Sequence, residues 1–350
     1  MRAIKIAGRE IGLLYPPYVV AELSGNHMGD IGRALRLIDA AAEAGVDAIK
    51  IQTFTPETMT LDINTGEFVI GDVGSIWFGR SLFDLYTESQ TPWSWHQEMF
   101  NYAKNLGLTA FSTPFDATSV DFLESLDVPC YKIASAENTD LDLIRKVSST
   151  GKPVIISTGM ASLSEIDRAV KTARTSGCSE LALLKCTASY PANPIESNLR
   201  TIPNTREIFS CEVGISDHTT GLGAALSSVA LGGTIIEKHL TLDSSDGAID
   251  SKFSMTPEQM KLLVAEAKAG WESIGVVHYG PTQSELDSVK YRRSLYITRD
   301  MSVGEVLSES NLQAIRPGNG LAIEYRNLAL GRPLKRSVKR GTALTWDLIL

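Results

Sequence analysis

The sequence predicts an α/β protein, a parallel (β/α) barrel followed by a small β-rich domain. Apolar, β-branched runs alternate with helical stretches, the pattern of parallel strands joined by crossover helices. Polar side chains end every one of those runs, and past Trp271 the character of the chain changes.

The strand-like runs are Tyr18 to Leu23, Ala48 to Thr53, Thr109 to Ser112, Cys130 to Ala134, Val154 to Ser157, Leu181 to Cys186, Glu212 to Ile215 and Thr234 to Lys238. Between them, Ala34 to Ala44 before the Gly45 stop and Pro92 to Asn105 before Gly107 read as helices. Short connections suit a closed barrel. The same strands would fit an open doubly wound sheet, but the first turn reads SGNHMGD and not G-x-G-x-x-G.

The strand ends favour closure. In order they supply Glu22, Lys50 with Gln52, Thr113, Lys132 with Ser135, Ser157 with Thr158, Lys185 with Thr187, Asp217 with His218, and Glu237 with His239. In a barrel all C-terminal strand ends open on one face, so these side chains would line a single pocket; an open sheet would scatter them.

Beyond Trp271 the stretch VVHYGPTQSELDSVKYRRS reads as a polar linker. Short strand patterns follow, with turns at Val303-Gly304 and Arg340-Gly341 and no long helix, which predicts a compact β-rich module near the lower size limit for an independent core. The expected boundaries are 1–280 for the barrel, 281–290 for the linker and 291–350 for the module. Lys335, Arg336, Lys339 and Arg340 read as a solvated face.

With 43% hydrophobic and 21% charged residues, the chain can build a sizeable core. A net charge of −8 and a pI near 5.3 offer no basic field to nucleic acid, so an anionic substrate must be held by local Lys, Arg and backbone N–H groups. The opening MRAIKIAGREIG has too short an apolar run for a signal peptide, and no segment matches a membrane helix; a cytoplasmic protein without a membrane partner is expected. Cys130, Cys178, Cys186 and Cys211 form no C-x-x-C pair and read as buried free thiols.

His218 and His239 each follow an apolar strand, on what would be adjacent barrel strands. Two imidazoles at one rim could take a divalent cation and leave positions open for water and substrate. Lys50 and Lys132 lie inside strands, where an ammonium group needs an anion nearby. That anion is either Glu22 or Glu137 in an internal salt bridge, or a substrate carrying phosphate and carboxylate. Ser112, Thr113, Ser135, Ser157 and Thr158 are neutral donors that would complete a phosphate cradle. A strand lysine can also form a Schiff base, so an aldolase of that kind stays open.

Taken together, AELSGNHMG, IKIQTFTPETMT, TPWSWH, STPFD, YKIASAENTD, STGM, CTASYP, GISDHT, IEKHLT and RPGNG resemble the sialic acid synthase family, and most closely its branch of pseudaminic acid synthases, from about Tyr18 to Ile349. The resemblance implies a TIM barrel joined to an antifreeze-like (SAF) domain in a domain-swapped homodimer. It implies manganese, or a similar ion such as magnesium or cobalt, on His218 and His239. Lys50, Thr113, Lys132, Ser135 and Ser157 match the phosphoenolpyruvate-binding set, and Glu22, Gln52, Tyr190 and Asp250 fall where the family contacts the acceptor sugar. Arg316, in RPGNG, resembles the arginine that the antifreeze-like domain sends into the partner's site; a turn arginine capping its own domain is the alternative. Glu22 and Glu137 are candidates for hydroxyl binding or proton transfer.

The implied reaction joins phosphoenolpyruvate, 2,4-diacetamido-2,4,6-trideoxy-L-altrose and water to give pseudaminic acid and phosphate. TPETMTLD and TPWSWH carry that branch likeness; an N-acetylneuraminate or legionaminate synthase using a manno-configured acetamido sugar is the alternative. Sialic acid synthases have Asn where this chain has Ala188, so a phosphate donor is either missing or supplied by Ser189. A synthase making a deoxy-octulosonate or heptulosonate phosphate would need a second phosphate site, and no further Arg cluster ends the strands.

Overall fold

The computed structural model describes residues 3–350. The chain divides into two compact units, Met1–Gly275 and Val276–Leu350.

In the first unit, β1 (Ile4–Ile6) and β2 (Arg9–Ile11) form an antiparallel hairpin that the sequence reading lacks. Eight parallel strands follow: β3 (Tyr18–Glu22), β4 (Ala48–Thr53), β5 (Thr109–Pro114), β6 (Tyr131–Ile133), β7 (Val154–Ser157), β8 (Leu181–Cys186), β9 (Glu212–Asp217) and β10 (Ile235–His239). They close in sequence order, with β10 returning to β3 from Ile235↔Tyr18 to His239↔Glu22. This is a TIM barrel, and every predicted strand is present, three with the expected ends and the others shifted by one or two residues.

Successive strand side chains point to opposite faces. Tyr18, Val20, Ala48, Phe111, Cys130, Ile155, Ala182, Leu184 and Ile235 cluster with Ile4, Ile6 and Ile11, so the hairpin plugs the N-terminal end of the barrel with apolar side chains. Their sequence neighbours, such as Val19, Ile49, Tyr131, Leu183 and Ile236, join the larger core beneath the helices. Continuing each inward row by two residues reaches Glu22, Lys50, Thr113, Lys132, Ser157, Cys186 and Glu237, and on β9 Ser216 follows Gly214 in the same way. One face of each strand thus carries core at one end and chemistry at the other. Gly214 keeps β9 close to β10, since a Cβ there would lie 2.2 Å from the Ile235 carbonyl oxygen.

The helix predicted from Ala34 begins earlier, at Ile31, because the Asp30 side chain accepts from the Gly32 N–H and caps it; Gly45 ends it at φ 81°. The second runs Trp93–Asn105, with Pro92 as its N-cap.

In the second unit, β11 (Ser294–Ile297) pairs antiparallel with β12 (Leu312–Ile315) over a core that includes Leu295, Leu312, Leu334 and Leu344. Gly304 and Gly341 make the expected turns at φ 79° and 85°. The basic cluster is exposed, with Arg336 and Lys339 paired to Asp347 and Asp300 at 3.1 and 2.7 Å. Part of the expected linker, Gln283–Tyr291, is 3₁₀-helical, begun by a reciprocal Thr282 and Glu285 capping box. None of its residues is buried, and Leu286 and Tyr291 are exposed, so no core-facing apolar stripe announces it. Among the described residues no helix is long and apolar enough to cross a membrane.

Candidate active site

The C-terminal mouth of the barrel opens into a cavity of about 350 Å³. Lys50, Gln52, Lys132, Ser135, Glu137, Ser157, Tyr190, His218, His239 and Asp250 all line it, so ten of the singled-out residues from across the first unit meet in one place. Glu22 and Thr113 sit one layer behind, in contact with Lys50. Arg316 follows β12 and belongs to the second unit.

The floor is a buried cluster of charge. Lys50 pairs with Glu22, lies 3.7 Å from Glu237, and donates to Thr113 Oγ1 at 3.1 Å. Lys132 donates to the same Glu237 oxygen at 3.0 Å, and Ser216 Oγ reaches it at 3.1 Å. Glu22 also accepts from the Ser24 N–H and from Gln52 Nε2, at 2.9 and 3.2 Å. Of the two carboxylates suggested as internal partners, Glu22 is one and Glu137 is not; Glu237 takes that place.

Desolvation alone would push Glu237 up, but Lys132 and Lys50 outweigh it and hold the carboxyl at about 2. For Lys132 desolvation prevails over the attraction of Glu237, and its pKa falls. For Lys50 desolvation is overcome by Glu22 and Glu237, and its pKa rises. Burial raises Glu22 despite Lys50. Glu137 has no such partner: burial raises it from 4.5 to about 7, and its Oε2 is buried without a hydrogen bond.

Of the hydroxyls singled out in the sequence, Ser112 and Thr158 already donate to the Ile51 and Leu184 carbonyls, whereas Ser135 and Ser157 are free to donate. Ser135 Oγ accepts the Gly159 N–H at 3.1 Å, which leaves its own proton for another acceptor. Ser157 Oγ is buried and unpartnered.

Beside this floor the His218 and His239 rings lie 5.3 Å apart. His218 Nδ1 is 3.0 Å from the Thr187 carbonyl oxygen, which can only accept, so Nδ1 carries a proton and Nε2 is the nitrogen with a lone pair whenever the ring is neutral. His239 Nδ1 is buried without a hydrogen bond, and desolvation above all holds the ring neutral. These two imidazoles could hold a metal. Among the described residues no cluster of three or more His, Cys, Asp or Glu is arranged for one, so most coordination positions would fall to water or substrate. Asp250 lies 3.6 Å from His239 Nδ1, accepts from Ser24 Oγ, and is raised by burial to about 6.

Several strand-end residues turn elsewhere. Asp217 precedes His218 and therefore faces outward, 2.7 Å from the buried Lys238. Lys185 donates to the Cys186 carbonyl at 2.8 Å, Thr158 to that of Leu184 at 3.1 Å, and Thr187 to that of Glu196 at 3.3 Å. Glu237, expected from sequence only as one of the strand ends lining the pocket, stands two residues before His239 on one strand and must share its face.

Fold and mouth together define a class, barrel enzymes that gather lysines and imidazoles around one cavity. Residues 37–279 match the NeuB family and residues 292–350 the SAF domain; the chain belongs to the NeuB family. It is 38% identical to a pseudaminic acid synthase of Campylobacter jejuni over 327 residues, covering 93% of this chain and 95% of that one. Against a pseudaminic acid synthase of Helicobacter pylori it is 38% identical over 336 residues, covering 96% and 98%. Among solved structures, the N-acetylneuraminic acid (sialic acid) synthetase of Leptospira borgpetersenii superposes with a TM-score of 0.73 at 30% identity, over 82% of this chain and 95% of that one.

Glu237→Gln keeps the shape of the floor and removes the charge that both ammonium groups share. The expected loss is roughly 3–5 kcal/mol of stability, read as a lower melting temperature that inorganic phosphate partly restores. An unchanged melting temperature contradicts this charge balance.

Proposed function

We propose that this chain condenses phosphoenolpyruvate with 2,4-diacetamido-2,4,6-trideoxy-L-altrose and water, giving pseudaminic acid and phosphate. The reading rests above all on one observation: Lys50, Lys132, Ser135 and Ser157 share a cavity with the paired imidazoles of His218 and His239. The likeness to relatives named for that activity supports it.

Lys132 and Lys50, with the hydroxyls of Ser135 and Ser157, bind the phosphate and carboxylate of phosphoenolpyruvate and fix its methylene carbon. Gln52, Tyr190 and Asp250 orient the open-chain sugar so that its aldehyde faces that carbon. Glu22 holds Lys50 and Gln52 in position from behind. A divalent ion on His218 and His239, manganese being our choice, would polarise the aldehyde oxygen as a Lewis acid. The methylene carbon attacks the aldehyde, water adds at the carbon bearing phosphate, and collapse of that centre releases phosphate. Glu137 is a suitable acceptor for the proton of the water, because burial makes it a stronger base than an ordinary carboxylate.

The test of function is phosphate release from phosphoenolpyruvate with altrose- and mannose-configured acetamido sugars, with and without EDTA. Release with the altrose sugar is expected, abolished by EDTA. His239→Ala should lower it at least 100-fold with an unchanged far-UV spectrum; chelated mutant protein turning over near the normal rate contradicts the role given to the imidazoles.

The pH dependence follows from Glu137. A base with its pKa near 7 must be deprotonated to act, so kcat should rise with pH through about 7. Glu137→Gln should lose that limb; an identical limb in the variant assigns it to another group.

We further propose that Arg316 acts in the barrel of a partner subunit within a homodimer. Arg316→Ala chains mixed with His239→Ala chains should then regain partial activity, and a mixture as inactive as its components contradicts the arrangement.

A further inference from the structure

The cavity has a second wall that the condensation chemistry leaves unused. Above the charged floor it is built from Phe54, Met59, Trp77, Leu85 and Phe115. Trp77 is held in place, because its indole N–H donates to the Ile249 carbonyl at 3.1 Å and its ring lies 5.7 Å from that of Tyr190. Tyr190 in turn lies 4.5 Å from the His218 ring, so Trp77 stands one aromatic ring away from the imidazoles. Phe54 is fixed edge-on by Phe115 at 5.3 Å, and its carbonyl accepts from the Trp93 indole at 3.2 Å. Met59 and Trp77 are only half-buried, which leaves part of each side chain open to an occupant.

Phe54, Met59, Trp77, Leu85 and Phe115 present no hydrogen-bond donor to an occupant, since the one indole N–H is already taken; the hydroxyls nearest them on the cavity lining are those of Tyr86 and Ser89. A hydroxyl pressed against these five side chains loses its water and finds no partner, whereas a methyl group gains by leaving water. An extended acceptor with its aldehyde at the imidazoles runs past Tyr190 toward Trp77, so the wall meets the end of the sugar remote from the reacting carbon. We propose that Trp77 and Met59 are specificity-determining residues that select the acceptor by an apolar far end, accepting a 6-deoxy methyl and an acetamido methyl where common hexosamines carry hydroxyls. This rests on the condensation proposed above and extends it by assigning the choice between acceptors to named side chains.

The test is steady-state kinetics of the full chain with phosphoenolpyruvate and either the 6-deoxy diacetamido acceptor or N-acetylmannosamine, which bears hydroxyls at C4 and C6. In Trp77→Ala and in Met59→Gln, kcat/KM for the deoxy acceptor should fall roughly 10- to 100-fold, with KM for phosphoenolpyruvate unchanged and the preference between acceptors narrowed. Met59→Gln, of similar length, keeps the test decisive if Trp77→Ala does not fold. Equal losses on both acceptors, or a raised KM for phosphoenolpyruvate, overturn the role of the wall while the condensation stands. Wild-type protein that releases no phosphate with the deoxy acceptor, or that prefers N-acetylmannosamine, sinks the condensation reading and the wall with it.

Discussion

Two buried ammonium groups set the terms for the whole mouth of this barrel. Lys50 is 4% exposed and Lys132 is 2% exposed, and neither could remain charged there without anions at hand. Glu237 stands between them and Glu22 beyond, so two cations meet two carboxylates and the floor is neutral overall. An incoming dianionic phosphate with a carboxylate brings more negative charge than that floor can match. Free hydroxyl protons on Ser135 and Ser157, and a cation on the neighbouring imidazoles, are the means by which the proposed complex would restore balance.

The barrel makes such a cluster affordable because it separates burial from reactivity along single strands. Low on each strand the inward row is apolar, sealed from below by Ile4, Ile6 and Ile11. High on the same row it is charged, and the outward rows lock the barrel to its helices. Even the outward pair of Asp217 and Lys238 serves the site, since Lys238 also donates to the Thr219 carbonyl and so steadies the turn that carries His218.

Much of this was legible in the sequence, for definite reasons. Parallel strands buried on both faces read as continuous apolar runs, and the residue ending each run stands out against them. The hairpin was missed because its apolar residues, three short of any sustained period, look like an unstructured start. Glu237 was read as a strand end lining the pocket but not as the carboxylate that two lysines share, because that role depends on which residues share a strand face. The apolar wall was invisible for another reason: Met59 ends a one-turn helix (Pro56–Met59) and Trp77 lies in a loop after β4, and neither is long enough for periodicity to tell which way a side chain points.

The most direct measurement is a crystal structure of the chain with phosphoenolpyruvate. The account predicts its phosphate and carboxylate oxygens within hydrogen-bonding distance of Lys50 and Lys132, beside Ser135 and Ser157, with the methylene carbon facing His218 and His239. Phosphoenolpyruvate bound elsewhere, with Glu237 still the sole acceptor for Lys132, would contradict it.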